Sequence, residues 1–210
     1  MEKGLLVVLS GFSGAGKGTL VKELLKKHPE QYALSISATT RAPREGEEHG
    51  REYFFVSKDA FETMIAEDAL VEYAKYVSNY YGTPKNYVLE QMALNKDVLL
   101  EIELQGALQI REKFPNAVLI FVTPPSAKEW KRRLVDRGTE TMEVIEARMA
   151  RAVVESAYMD QYDYLLVNDD LQICVDELHG LINSQHMRSC ECAGFIQKMK
   201  EEIKNIVKGE

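Results

Sequence analysis

The sequence predicts an α/β fold, a mostly parallel sheet with helices on both faces. Three observations carry that reading. Short continuous apolar runs alternate with helix-periodic segments, as in sheets whose strands are covered on both sides. A glycine-rich turn, "GFSGAGKGTL" from Gly11 to Leu20, stands between the first run and the first helix. Residues 37–83 interrupt the alternation with charge, tyrosine, glycine and short segments such as "REYFFVS", the mark of an inserted β-rich lobe.

Leu5 to Leu9 is the first buried-strand candidate, and from Lys17 to Lys27 the residues Leu20, Val21, Leu24 and Leu25 recur at helical spacing. Val98–Leu100, Ala117–Val122 and Tyr164–Val167 supply three more strands, with helices expected near 105–113, 127–136 and 142–159. Ser126 followed by Glu129 is a capping-box start for the second of these. Thr83-Pro84 reads as a capping hydroxyl followed by proline at the first helical position. In the tail, Phe195, Met199, Ile203, Ile206 and Val207 share one face of a helix, which predicts an accessory helix packed on the core, with a partner-binding helix as the alternative. The expected organisation is one unit, 1–210: a core of 1–36, 84–125 and 160–185, a lobe of 37–83, a lid of 126–159 and the accessory helix of 186–210.

Composition narrows the function class. No apolar run approaches the roughly 20 residues that span a bilayer, and "MEKGLLVVLSG" lacks the pattern of a secretory signal, so a cytosolic protein is expected. The odd number of cysteines, Cys174, Cys190 and Cys192, argues for reduced thiols in that compartment; a metal cluster of His186, Cys190 and Cys192 is disfavoured by the C-x-C spacing and the want of a fourth ligand. A net charge of −7 has the wrong sign for a nucleic-acid binder, so phosphate chemistry must rest on local basic clusters.

The turn after the first strand has the form G-x-x-x-x-G-K. Its residues Gly11, Phe12, Ser13, Gly14, Ala15, Gly16, Lys17, Gly18 and Thr19 place backbone N–H groups, a helix N-terminus and one full positive charge where phosphates can sit. Gly18 stands where the pattern usually has Ser or Thr, and Thr19 supplies the hydroxyl one position later. Glu101, ending "DVLLE", is placed like the strand-end acid that assists a metal ion, or like an acid paired with a nearby lysine. Mg²⁺ sheds water reluctantly, so coordination through water from Thr19 and Glu101 is expected. For a second phosphate, Arg41 and Arg44 flank Pro43 with Tyr53 nearby, and "EYAKYVSNYYGTP" adds Glu72, Tyr81 and Thr83.

The ordered motifs "SATTRAPREGE…GREYFFVS", "LVEYA", "NYYGTP", "LLEIELQGA", "RLVDRGTET" and "VNDDL", following the phosphate loop, closely resemble guanylate kinase from about Leu5 to Ile182. The resemblance implies a P-loop mononucleotide kinase fold with a β-rich GMP-binding lobe and a short helical lid, and Mg²⁺-dependent transfer of the γ-phosphoryl group of ATP to GMP, giving ADP and GDP. By that resemblance Ser37, Arg41, Arg44, Tyr53, Glu72, Tyr81, Thr83 and Glu103 match GMP-site positions, with Glu101 beside them. Arg133 and Arg137 match the lid over ATP, Arg148 is a lid arginine directed at the transferring phosphate, and Asn168 matches a position beside adenine. The family usually carries Asp where this chain has Glu103, so that contact with guanine reaches one methylene further. The implied catalytic charges are Lys17, Arg41, Arg137 and Arg148 with Mg²⁺; the implied partners are ATP and GMP, without nucleic acid or membrane, in a monomer or homodimer.

The chemistry agrees. Guanine presents N1–H and its 2-amino group side by side, which one carboxylate from Glu72 can accept, while adenine turns a lone pair at N1 to the same place; Ser37 can donate to guanine O6. Two other classes compete. A protein-binding domain of the same fold loses phosphate-loop residues, whereas Lys17 and the lid arginines are intact here. A kinase for another small phosphate acceptor has no need of Glu72 and Ser37 together with a complete lid.

Overall fold

In the computed structural model, which describes residues 3–76, 78–136 and 141–208, the chain builds two sheets. β1 (Leu6–Gly11) is the central strand of the larger one and passes through the glycine-rich turn into α1 (Lys17–Lys27). β2 (Tyr32–Leu34), β7 (Asp97–Glu101), β8 (Val118–Thr123) and β9 (Tyr164–Val167) complete an all-parallel sheet in the order β2-β7-β1-β8-β9. The chain moves to one side of β1 after α1 and to the other after β7, so β1 stands where the winding reverses, the place where open α/β sheets bind ligands at their strands' carboxyl ends.

The period-2 alternation decides which side each residue covers. Val7 and Leu9 pack with Leu20, Val21 and Leu24 of α1 and with Val175 and Leu178 of α7 (Leu171–Gln185). Leu6 and Val8 turn to the opposite face, against Val88 of α3 (Lys85–Ala93) and Ala107 and Ile110 of α4 (Leu104–Lys113). Each fully buried aliphatic side chain contributes about 1.5–3 kcal/mol, and both faces are covered, so β1 is fixed in position as well as in register.

The second sheet, β4-β3-β6-β5, comes from β3 (Ala38–Thr39), β4 (Phe54–Phe55), β5 (Leu70–Tyr76) and β6 (Asn79–Pro84), with α2 (Lys58–Ala66) inserted before β5. β3 pairs antiparallel with β6, and β6 with β5; the register shifts between Leu70 and Glu72, an irregularity of the kind that re-aims a side chain. Ala38, Phe61 and Leu70 form its small core. Beyond β8, α5 (Ala127–Asp136) and α6 (Met142–Ser156) share a third cluster of Trp130, Leu134, Ile145 and Ala152, to which Phe12 of the turn is packed.

Four expectations need correction. The Thr83 hydroxyl does not cap α3: it donates to Glu72 at 2.7 Å, and Pro84 is itself the N-cap residue, since β6 extends to Pro84 to pair with β5. Ser126 does accept from the Glu129 N–H at 3.1 Å, but the Glu129 carboxylate turns to Arg132 and Arg133 instead of closing the box. The helix expected to reach residue 159 stops at Ser156, followed by a 3₁₀ turn, Met159–Gln161. Finally, α8 (Ala193–Lys208) forms with the expected stripe, but the stripe is not docked: Phe195 is 65% exposed, Ile203 54% and Ile206 74%.

That exposure sets an expectation for truncation. Deleting residues 193–210 should change folding stability by less than about 1 kcal/mol, because little apolar contact is lost. Urea unfolding of the two proteins measures this, and a larger loss would mean that α8 docks in solution.

Candidate active site

The turn from Gly11 to Lys17 is held through its carbonyls. Asn168, buried at the end of β9, donates its amide to the Ala15 carbonyl at 2.8 Å. Trp130 donates its indole N–H to the Ser13 carbonyl at 2.8 Å, and the Arg148 guanidinium donates to the Ser13 hydroxyl. Gly16, the N-cap of α1, has φ 87°, and a Cβ there would lie 2.5 Å from the Asn168 amide nitrogen, so both conformation and space require glycine. Lys17 donates to the carbonyls of Gly11 at 2.7 Å and Phe12 at 3.2 Å. Burial lowers its pKa, while Glu101 and Glu155 raise it and Arg151 lowers it further.

Across from this turn the second sheet presents the other residues. Glu72 on β5 is 4% exposed, and its carboxylate accepts from buried Thr83, directly paired with it on β6. Burial raises the Glu72 pKa above the ordinary 4.5, partly offset by Thr83. Arg41 makes a two-point pair with Glu47, at 2.9 and 3.0 Å, and lies 5.4 Å from the Tyr53 ring centre. Tyr53 and Tyr81 meet edge to face at 6.0 Å. Arg44 is exposed and its backbone N–H donates to Glu47 at 2.8 Å. Ser37 is half-buried at the entry to β3.

Helix α6 approaches from the third side. Arg148 reaches Ser13, and one turn on Arg151 is shared between Glu103, the N-cap residue of α4, and Glu155 at 2.9 Å. On α5, Arg133 donates to the Asn168 carbonyl at 2.7 Å and pairs with Glu129 at 2.8 Å. Arg137 lies outside the described residues.

A glycine-rich loop ending in a lysine at the end of a parallel strand, a buried carboxylate on the second sheet and guanidinium groups from α5, α6 and the segment after β3 form the setting for the comparisons with known proteins. The guanylate kinase family model matches residues 3–185. Guanylate kinase from Bacillus subtilis is 48% identical over 200 residues, covering 95% of this chain and 98% of that one. Guanylate kinase from Halalkalibacterium halodurans is 49% identical over 202 residues, 96% and 97% of the two chains. The crystal structure of guanylate kinase from Anaplasma phagocytophilum superposes with a TM-score of 0.72 at 29% identity, over 90% of each chain. The chain belongs to the guanylate kinase family. Its activity is phosphoryl transfer from ATP to GMP.

As a guanylate kinase it contains residues that sequence reasoning passed over. Glu47 occupies the fork of Arg41; the spacing R-x-x-R-x-x-E was the available signal. Arg151 and Glu155 stand near Lys17, and nothing local in the sequence of α6 separates them from ordinary solvent-facing charges. Asn168 is placed with its amide on the loop carbonyl, so the contact the structure gives it is with the loop.

The donors at the loop suit a hard divalent cation. Glu101 ends β7 with its carboxylate oxygens 3.6 and 3.8 Å from where a Cβ on Gly18 would stand, beside Thr19. Burial raises its pKa and Lys17 lowers it. Among the described residues there is no group of three His, Cys, Asp or Glu that could form a metal cage, and a lone carboxylate at the loop suits Mg²⁺, which keeps waters and takes phosphate oxygens.

Glu72 carries a stability consequence. Its folded pKa is raised, so ionising it disfavours the fold: the cost is absent below the ordinary value of 4.5 and grows as pH rises through the raised value. Glu72→Gln should therefore stabilise the substrate-free protein at pH 7, and the gain should shrink as pH falls through the raised value towards 4.5 and be gone below it. Paired urea titrations at several pH values check this; a gain independent of pH would contradict it.

Proposed function

We propose that the reaction divides among the residues as follows. ATP lies with its phosphates on the loop from Gly11 to Thr19, under Arg133 and Arg137. GMP lies against the second sheet, with Arg41, Arg44, Tyr53 and Tyr81 on its phosphate and Ser37, Glu72, Thr83 and Glu103 at its base. Glu101 stands between the two nucleotides. The observation that carries this division is the Glu72 carboxylate, dry and held by a hydroxyl. Its unfavourable burial is relieved by a ligand edge with two parallel N–H donors, which guanine has and adenine lacks. A site built to make such bonds rejects the analogue that cannot make them by as much as about 10⁴–10⁵.

In the transfer, an anionic oxygen of the GMP phosphate attacks the γ-phosphorus of ATP in line. A new P–O bond forms, the bond from γ-phosphorus to the β,γ-bridging oxygen breaks, and ADP leaves with that electron pair. The nucleophile is already ionised, so no general base is assigned. What the protein supplies is position and positive charge. Lys17 leaves its own loop carbonyls for the β- and γ-phosphates, Arg148 turns from Ser13 to the moving group, and Arg41 exchanges Glu47 for the acceptor phosphate. Mg²⁺, held through water by Thr19 and Glu101, neutralises charge on the ATP phosphates when bound. The segments 37–83 and 126–159 close over the core at 1–36, 84–125 and 160–185 to exclude water. We place the enzyme in the cytosol, acting on GMP and dGMP in purine nucleotide recycling, as a monomer or homodimer that binds neither nucleic acid nor membrane. No helix is long and apolar enough to cross a membrane among the described residues.

The deciding experiment is an acceptor panel of GMP, dGMP, AMP, UMP and ribose phosphates with ATP and Mg²⁺, read as ADP formation. GMP and dGMP should be the only efficient acceptors, and equal use of AMP would sink the assignment of Glu72. Lys17→Ala should keep the fold and lose at least about nine-tenths of kcat. Glu72→Gln should lower kcat/KM for GMP by about 10–100-fold, the worth of a charge-assisted bond plus a poorly satisfied donor. ATP affinity should hold, and discrimination against AMP should fall.

A further inference from the structure

Glu72 is pressed against a helix at a position where only one residue type leaves room. Gly106 lies in the first turns of α4, buried. A Cβ built on it would stand 2.5 Å from Glu72 Oε2 and 3.1 Å from its Cδ. Glycine is the least favourable ordinary residue for a helix interior, and the backbone here is ordinary helix: Gly106 is not among the positive-φ glycines. Space for the carboxylate is therefore what the position selects for.

Two further contacts prevent the carboxylate from moving aside. One turn along the same face of α4, Gln109 clamps the backbone of Tyr73, the residue after Glu72. Its amide donates to the Tyr73 carbonyl at 2.6 Å, and its side-chain oxygen accepts from the Tyr73 N–H at 3.1 Å. On the other side, Thr83 holds Glu72 Oε1 at 2.7 Å. The carboxylate is thus confined between a strand pinned to α4, a hydroxyl on β6, and the bare backbone of Gly106.

We propose that Gly106 is a specificity-determining residue, whose missing side chain sets the plane and depth of the Glu72 carboxylate and so fixes where the purine edge is read. It touches no reacting atom and acts through Glu72, so it is a positioning residue. The inference rests on the assignment of Glu72 to the guanine edge. That assignment is tested separately, by whether Glu72→Gln lowers kcat/KM for GMP and weakens the discrimination against AMP.

The test is Gly106→Ala in the full-length enzyme, with Gly180→Ala as control. Gly180 also lies within a helix, α7, but has nothing within 4 Å of an added Cβ. The control should keep wild-type kinetics. Gly106→Ala should raise KM for GMP by about tenfold or more, leave KM for ATP unchanged, and reduce the GMP-over-AMP preference. In a Glu72→Ala background, Gly106→Ala should cost nothing more, because the group it collides with is gone. A wild-type KM for GMP in Gly106→Ala overturns the proposal. So does an equal loss in both backgrounds, which would indicate damage to α4 itself. Should Gly106→Ala fail to fold, the double variant decides: recovery of the fold supports the crowding of Glu72, and continued failure refutes it.

Discussion

The structure depends on the anchoring of one loop. Two of its carbonyls and the Ser13 hydroxyl need partners, and three distant elements supply them. Asn168 after β9 holds Ala15, Trp130 on α5 holds the Ser13 carbonyl, and Arg148 on α6 holds the Ser13 hydroxyl. Phe12, just before Ser13 in sequence, meets Phe121 at 5.0 Å and Trp130 at 5.6 Å between ring centres. The loop is thereby tied to the core sheet and to both helices that follow β8, so a movement of α5 or α6 is felt where phosphates bind. This is pre-organisation with a mechanical link, and it explains why the aromatic residues of the loop and of α5 are buried while the helix surfaces are charged.

Much of this was legible in the sequence because it is local. The run Leu5–Leu9, the glycines and Lys17 fall within a dozen residues, and strand, turn and helix chemistry all agree there. The parallel core followed from the same agreement repeated along the chain. What failed was partner choice. Thr83-Pro84 has the form of a helix start, yet the hydroxyl is captured by Glu72 because β6 pairs with β5, a relation across 11 residues that no local pattern encodes. The stripe on α8 was read correctly as a stripe; periodicity establishes that an apolar face exists and is silent on what it meets. Arg151, Glu155 and Gly106 were invisible for a related reason. Each matters through a residue 34 or more positions away, Glu103, Lys17 and Glu72 respectively.

Two acidic residues, Glu47 in the loop between β3 and β4 and Glu72 on β5, show how environment sets the charge of a carboxyl. Glu47 is paired with Arg41 and the Arg44 N–H, and these hold its carboxyl below the usual range. Glu72, paired with a hydroxyl and buried, is pushed the other way. The first is an anion stabilised by a guanidinium, and the second is a carboxylate whose charge burial disfavours.

Five described cations at the site rest on partners within the protein. Lys17 rests on the Gly11 and Phe12 carbonyls, Arg41 on Glu47, Arg133 on Glu129, Arg148 on Ser13, and Arg151 on Glu103 and Glu155. Clustered positive charge without counter-charges would oppose folding, and these internal partners remove that cost. Lys17 is carried by the loop's end, Arg41 by the segment after β3, Arg133 by α5, and Arg148 and Arg151 by α6, so the neutralised cations are held on separate elements of the fold.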